Sequence, residues 1–306
     1  MRNYAIIGTG AIGGACAVKL YQAGFKVHCL LRSDYLYVQK YGLTLISGEE
    51  KFTAPIMSYQ NVQDMPVCDI ILVTFKTTEN RLLKNILPKI MHSETVVVLL
   101  QNGIGMEDEL AEFIDPSKII GGSISLIVNK ETQGVIRHSG LNSVEFSKYQ
   151  HEQKKDNHKY IEILEKDFKK SGFNATAEGH LPTIRWKKLT ANIPISGLSV
   201  VLNASNQDLV CNCSSFQLLC DLTKEVIEAA KASGAEISEE FYQHRINVLE
   251  SFKFLVKSYP SMKKDFDNKR PLELHAIYEN PILIAEKNKA LMPLTNMLYQ
   301  QLQYLC

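Results

Sequence analysis

The stretch YAIIGTGAIGGACAVKL, residues 4–20, decides the fold of this 306-residue chain. A β-rich run at 4–7 enters Gly8-Thr9-Gly10-Ala11-Ile12-Gly13, and a helical stretch at 11–23 leaves it, stopped by Gly24. A second β-rich run follows at 26–31. In that setting G-x-G-x-x-G has a physical meaning. Gly8 permits the tight turn, Gly10 lets a pyrophosphate approach the backbone, and Gly13 lets the helix pack close to its strand. The helix start then offers free N–H groups and a positive dipole end to phosphates.

Working outward, CDIILVTF (68–75) and TVVVLL (95–100) are continuous apolar runs, as central strands covered on both faces require. Between them residues 78–90 carry Leu82, Leu83, Ile86, Leu87 and Ile90 at helical spacing, with Pro88 marking the helix end. Residues 134–139 and 143–146 read as a hairpin about Gly140-Leu141-Asn142 that closes the sheet edge. The polar stretch 148–158, with His151 and His158, reads as a solvated loop without chemistry. Beyond about residue 180 the texture turns helical, with amphipathic runs at 214–233 and 238–257. Leu218, Leu219, Leu222, Val226 and Ala229 form one apolar stripe there. The expected fold is an α/β Rossmann-type dinucleotide-binding domain, 1–179, followed by an all-helical domain of about six helices, 180–306.

Composition narrows the function classes. Lys and Arg number 34 against 33 Asp and Glu, a net charge of +1, so no global field points to nucleic acid or an acidic membrane. No apolar run reaches the ~18 residues of a membrane span, and no signal-peptide core opens the chain. The seven cysteines are odd in number, scattered and without C-x-x-C spacing, which reads as reduced core thiols in a cytosol, with no metal site. A soluble cytoplasmic protein, monomer or homodimer, is expected.

Candidate site residues follow from the strand ends. After the second strand stand Leu31-Arg32-Ser33, where an NAD enzyme usually carries an acid. A guanidinium there suits a 2′-phosphate, which favours NADP; Asp34 as a ribose carboxylate is the alternative. Lys76 and Gln101-Asn102-Gly103 end the next two parallel strands, where ligands of open α/β sheets bind. Gly121-Gly122-Ser123 offers a further close backbone approach. In the helix opening near Leu181, Lys188 and Asn192 are i and i+4 and share a face with Ser196; Lys187 falls on a neighbouring, solvated face. Pro194 is expected to bend that helix and free a carbonyl.

These pieces, in this order, resemble the ketopantoate reductase family. The resemblance runs through GTGAIG (8–13), LVTFK (72–76), QNGIG (101–105), WKKLTAN (186–192), and PSMKKD to PLE (260–273). It implies NADPH-dependent reduction of 2-dehydropantoate to pantoate on the route to coenzyme A, with a small 2-oxo acid as the binding partner. It further implies that Lys188 is the proton donor, that Arg32 meets the 2′-phosphate, and that Lys76, Asn102 and Ile127 contact cofactor. Asn102, Lys188, Asn192, Ser196, Asn206 and Ser261 would contact substrate, and Glu273 would stand near the nicotinamide ribose and the substrate hydroxyl. The chain departs from the family pattern at Ser196-Gly197, Leu274-His275 and Tyr278-Glu279, all on the substrate side. Two alternatives stand beside the resemblance: reduction of a different 2-oxo acid, and a non-catalytic sensor of NADPH.

Overall fold

The structure is a computed structural model and describes residues 2–149, 158–177 and 179–306. His151 lies outside the described residues, and of His158 only the backbone is described. The chain divides into two units, Met1–Gln101 with Met106–Leu181, and Asn102–Gly105 with Pro182–Cys306.

The first unit holds the strands β1 (Asn3–Ile7), β2 (Lys26–Leu30), β3 (Leu43–Ser47), β4 (Glu50–Ala54), β5 (Met57–Tyr59), β6 (Ile70–Val73), β7 (Val96–Leu99), β8 (Ile119–Thr132), β9 (Val135–Lys148) and β10 (Asn174–Thr176). Its helices are α1 (Ala11–Gln22), α2 (Tyr35–Tyr41), α3 (Leu83–Ile90), α4 (Met106–Ala111) and α5 (His158–Lys170). The ten strands join one sheet in the order β4-β3-β9-β8-β7-β6-β1-β2-β5, with β10 on β9. The stretch from β8 through β7, β6, β1 and β2 to β5 is parallel, and the wholly buried β6 and β7 are the two apolar runs of the sequence.

The expected hairpin about Gly140 is not there. Residues 134–146 do not fold back on themselves; β9 is one strand, it pairs antiparallel with β8, and the turn lies at Gln133-Gly134. Gly140 and Leu141, the latter at φ 46°, sit where the β8–β9 register slips opposite Leu126 and Ile127, so the glycine marks a bulge. An antiparallel β3–β4 pair, absent from the sequence reading, extends the far edge. Residues 78–90 also differ: Thr77–Leu82 is a tighter 3₁₀ run, α3 begins only at Leu83, and Pro88 lies inside it.

The second unit is helical: α6 (Leu181–Val201), α7 (Asn206–Cys211), α8 (Cys213–Ala232), α9 (Glu240–Ser251), α10 (Ser261–Asp267), α11 (Asn280–Lys287) and α12 (Pro293–Leu305). Its core gathers Trp186, Leu189, Ile193, Leu219, Leu222, Val226, Tyr278 and Leu298. Leu218 falls outside the expected stripe and is exposed. Cys16, Cys29 and Cys68 are buried, and burial pushes each thiol up to about 12. The core-thiol reading ends with those three, because Cys211 and Cys213 stand exposed at the α7–α8 junction and Cys306 at the exposed terminus. Among the described residues no helix is long and apolar enough to cross a membrane, and no three His, Cys, Asp or Glu side chains cluster as metal ligands.

Candidate active site

The glycine turn is built by close approach. Gly8 has φ +100°, and a Cβ there would overlap the backbone of Phe75 at the end of β6. A Cβ on Gly13 would strike Thr74 Oγ1 and the Gly8 carbonyl, while Gly10 is exposed and faces open space. Thr74 Oγ1 donates to the Gly8 carbonyl at 2.8 Å, and Thr9 Oγ1 to the Leu30 carbonyl at 3.2 Å, which pins the turn to two strands. Helix α1 starts at Gly10 without a side-chain cap and without an acid in its first turn. Its first amides therefore point a positive dipole end at the open space beside Gly10, a cradle that fits a dinucleotide pyrophosphate. Ala11 and Ile12 are half-buried in that first turn.

At the end of β2, Arg32 is exposed while Asp34 is buried. The Asp34 carboxylate accepts from Lys130 Nζ at 2.6 Å, the Gly134 N–H at 3.0 Å and Ser33 Oγ at 3.0 Å. Burial alone would raise its pKa, but these partners outweigh it and hold the carboxyl below its ordinary value. Asp34 is thus committed inside the protein, and its charge is offset by Lys130. The sequence carried no local signal for that pair.

The loops after β6 and β7 are tied together. Gln101 Nε2 donates to the Phe75 carbonyl at 3.0 Å and to Asn80 Oδ1 at 2.7 Å, and Asn80 Nδ2 donates to Glu109 at 3.0 Å. Lys76, half-buried, opens the 3₁₀ run between them. Ile127 is exposed on β8, opposite Gly140 and six residues beyond Gly121. At strand rise that is about 20 Å along the chain.

The second unit gathers its candidates from distant segments. Lys188, Asn192 and Ser196 form a stripe on α6 beside the buried Leu189 and Ile193, the first two half-buried and Ser196 buried. Lys187 is not simply solvated: its Nζ lies 5.7 Å from the Phe241 ring, and its carbonyl accepts from Arg245 at 3.2 Å. The helix continues through Pro194 to Val201. Glu273 is buried, and its carbonyl accepts the Ile277 N–H at 3.1 Å. Asn206 is fixed at the first position of α7 by a capping box, in which hydrogen bonds from Ser205 hold Asp208 down to about 2. Asn206 Nδ2 donates to Ser258 at 3.2 Å, and its Oδ1 is buried with no hydrogen-bond partner among the described residues. An acceptor orphaned in this way is what a ligand hydroxyl would satisfy. Ser261 is exposed at the start of α10, three residues past Ser258.

Asn102 joins this group through its loop. Residues Asn102–Gly105 belong to the helical unit, although they follow β7 directly. The Ile104 N–H donates to the Ala276 carbonyl at 3.0 Å, and Asn280 Nδ2 donates to the Ile104 carbonyl at 2.8 Å. Gly103, at φ +103°, lies so close that a Cβ would come within 2.6 Å of the Ala276 carbonyl oxygen. The structure thereby collects Asn102, Lys188, Asn192, Ser196, Asn206, Ser261 and Glu273 in one unit, while Gly8 to Gly13, Arg32, Lys76 and Ile127 lie in the other. Sequence reasoning missed Lys130, Asn80 and Asn280, of which only Asn280 had a signal, the Asn-Pro pair that opens α11, and it marked Tyr278 only as a departure from the family pattern.

Two family descriptions match the chain: "Ketopantoate reductase PanE/ApbA" over residues 4–151, and "Ketopantoate reductase PanE/ApbA C terminal" over residues 181–305. The chain is 39% identical, over 99% of its length and 95% of the relative's, to a 2-dehydropantoate 2-reductase of Nostoc sp.. Among solved structures it is similar to a 2-dehydropantoate 2-reductase of Geobacter metallireducens, with 28% identity, TM-score 0.92, and coverage of 99% and 100% of the two chains. It shares its fold with a D-mandelate dehydrogenase solved with NADH and anilino(oxo)acetate, at 20% identity, TM-score 0.88, and coverage of 99% and 98%.

Proposed function

We infer the reaction from one premise: the chain belongs to the ketopantoate reductase PanE/ApbA family, and so is an oxidoreductase of pantothenate biosynthesis. The reaction we propose is the NADPH-dependent reduction of 2-dehydropantoate to (R)-pantoate. The observation that carries it is the full-length likeness to the Nostoc 2-dehydropantoate 2-reductase.

When bound, the reduced nicotinamide supplies a hydride for the keto carbon. Lys188 donates a proton to the developing alkoxide, and its ammonium stabilises the charge on that oxygen. Asn192 and Ser196, on the same stripe of α6, hydrogen-bond the oxo acid. Asn206 Oδ1 accepts from a substrate hydroxyl, and Ser261 adds a donor nearby. Glu273 orients the substrate hydroxyl, and Asn102 and Lys76 hold groups on the cofactor side, with Ile127 a further contact. The free N–H groups at the start of α1 hold the pyrophosphate. NADP is preferred to NAD because Arg32 is exposed for a 2′-phosphate while the Asp34 carboxylate is occupied by Lys130 and Gly134.

A different 2-oxo acid is the second reading, suggested by the substitutions on the substrate side. One observation weakens it. Tyr278 is wholly buried, with its hydroxyl on a backbone carbonyl, and His275 is exposed and paired with Glu279 at 2.8 Å. Those departures are absorbed by internal packing and surface pairing. The test is NADPH oxidation, followed by absorbance, with 2-dehydropantoate and a panel of other 2-oxo acids, each repeated with NADH. Turnover fastest on 2-dehydropantoate with NADPH is expected. A higher kcat/KM on another acid would overturn the substrate, and equal use of NADH would overturn the cofactor preference.

A further inference from the structure

Between Leu274 and α11 the helix widens into a single π-helical turn, His275–Glu279. Pro281 explains it. In α-helical register its ring would press on the Ile277 carbonyl, and with no N–H it cannot serve the Ala276 carbonyl in π register either. The freed Ala276 oxygen is the atom that takes the Ile104 N–H, so the π turn seats the loop that carries Asn102.

The same turn reaches α6. Tyr278, wholly buried and stacked on Tyr299, donates from its hydroxyl to the Ile193 carbonyl at 3.0 Å. Pro194 leaves the Thr190 carbonyl without its helix bond, and one turn on the Tyr278 hydroxyl takes the Ile193 carbonyl and is itself met by the Gly197 N–H, so α6 is held from outside just past its proline. Burial raises the phenol far above its ordinary value, so it stays a donor. Met262 Sδ, next to Ser261, lies 3.9 Å from the same hydroxyl. A Cβ on residue 197 would come within 2.7 Å of it and within 2.6 Å of Leu298 Cδ2, so glycine there admits both side chains.

We propose that Tyr278 is a positioning residue for the reduction: its hydroxyl fixes α6 at the proline and thereby sets Asn192 and Ser196 against the oxo acid. This rests on the reductase reading for its effect on turnover, though not for its effect on α6.

The test compares the wild type with Tyr278→Phe, Gly197→Ala and the double variant, by steady-state kinetics, NADPH titration and amide exchange. Tyr278→Phe is expected to raise KM for the oxo acid or lower kcat, with a combined loss of roughly five- to fiftyfold in kcat/KM. NADPH affinity should stay within about twofold, and amides around residues 193–197 should exchange faster. Gly197→Ala should be the more damaging single change, and Tyr278→Phe should recover part of its loss. A role in packing alone would lower the denaturation midpoint and leave KM and kcat per folded molecule untouched, and that result overturns the proposal. If the wild type reduces no 2-oxo acid, the reductase reading fails on that ground. The proposal is then decided by exchange alone: faster exchange in Tyr278→Phe upholds the hold on α6, and wild-type exchange overturns it.

Discussion

The two sets of candidate residues, one in each unit, are built in opposite ways. The dinucleotide cradle is contiguous: six residues, Gly8 to Gly13, make the turn, the helix start and the close approach to β6. The residues proposed for the substrate, 102, 188–196, 206, 261 and 273, come from distant segments of one unit, which holds contacts such as Tyr278 to Ile193 across 85 positions. A contiguous site is specified by local backbone geometry and tolerates drift elsewhere. An assembled one depends on packing, so substitutions must come in matched sets, as Gly197 with Tyr278.

The sharpest way to break this contrast is Lys188→Ala. It should cut kcat by about 10² to 10⁴ while NADPH binding, measured by titration, stays near wild type, because the cradle uses no group from α6. A large loss of NADPH affinity instead would show that the two halves are not separable. On the cofactor side, Arg32→Ala should weaken NADPH binding by roughly 10- to 100-fold and leave NADH binding unchanged. Equal loss for both nucleotides would remove the 2′-phosphate assignment.

The smallest effect concerns Asp34. Its carboxyl is held below its ordinary value in the fold, so it contributes stability above its unfolded pKa, near 3.9, and that stability is lost as pH falls through the lower folded value. Urea midpoints at pH 7 and pH 3 should therefore differ less in Lys130→Met than in wild type. The change is under about 1 kcal/mol, given how much of Lys130 meets solvent. An unchanged difference would show that Gly134 and Ser33 suffice to hold the carboxylate.

What was legible in the sequence divides along the same line. The glycine turn, the two buried parallel strands and the helical second half were readable, because each is written in neighbouring residues. Gly140 misled because a bulge and a hairpin turn use the same residue type, and the polar middle of β9 gave no alternation to tell them apart. The Asp34–Lys130 pair and the seat of residues 102–105 were not readable, since each depends on partners remote in the chain; the π turn has a local cause in Pro281, which the sequence reading did not use.

That seat also bears on how such enzymes can be recombined. A chimera joined at residue 181 looks like a clean exchange of halves, yet four residues, Asn102–Gly105, would then be inherited from the wrong parent. Grafting the helical half of one relative onto another succeeds only if those four residues travel with it, which makes a short insert inside the first gene segment part of the second module.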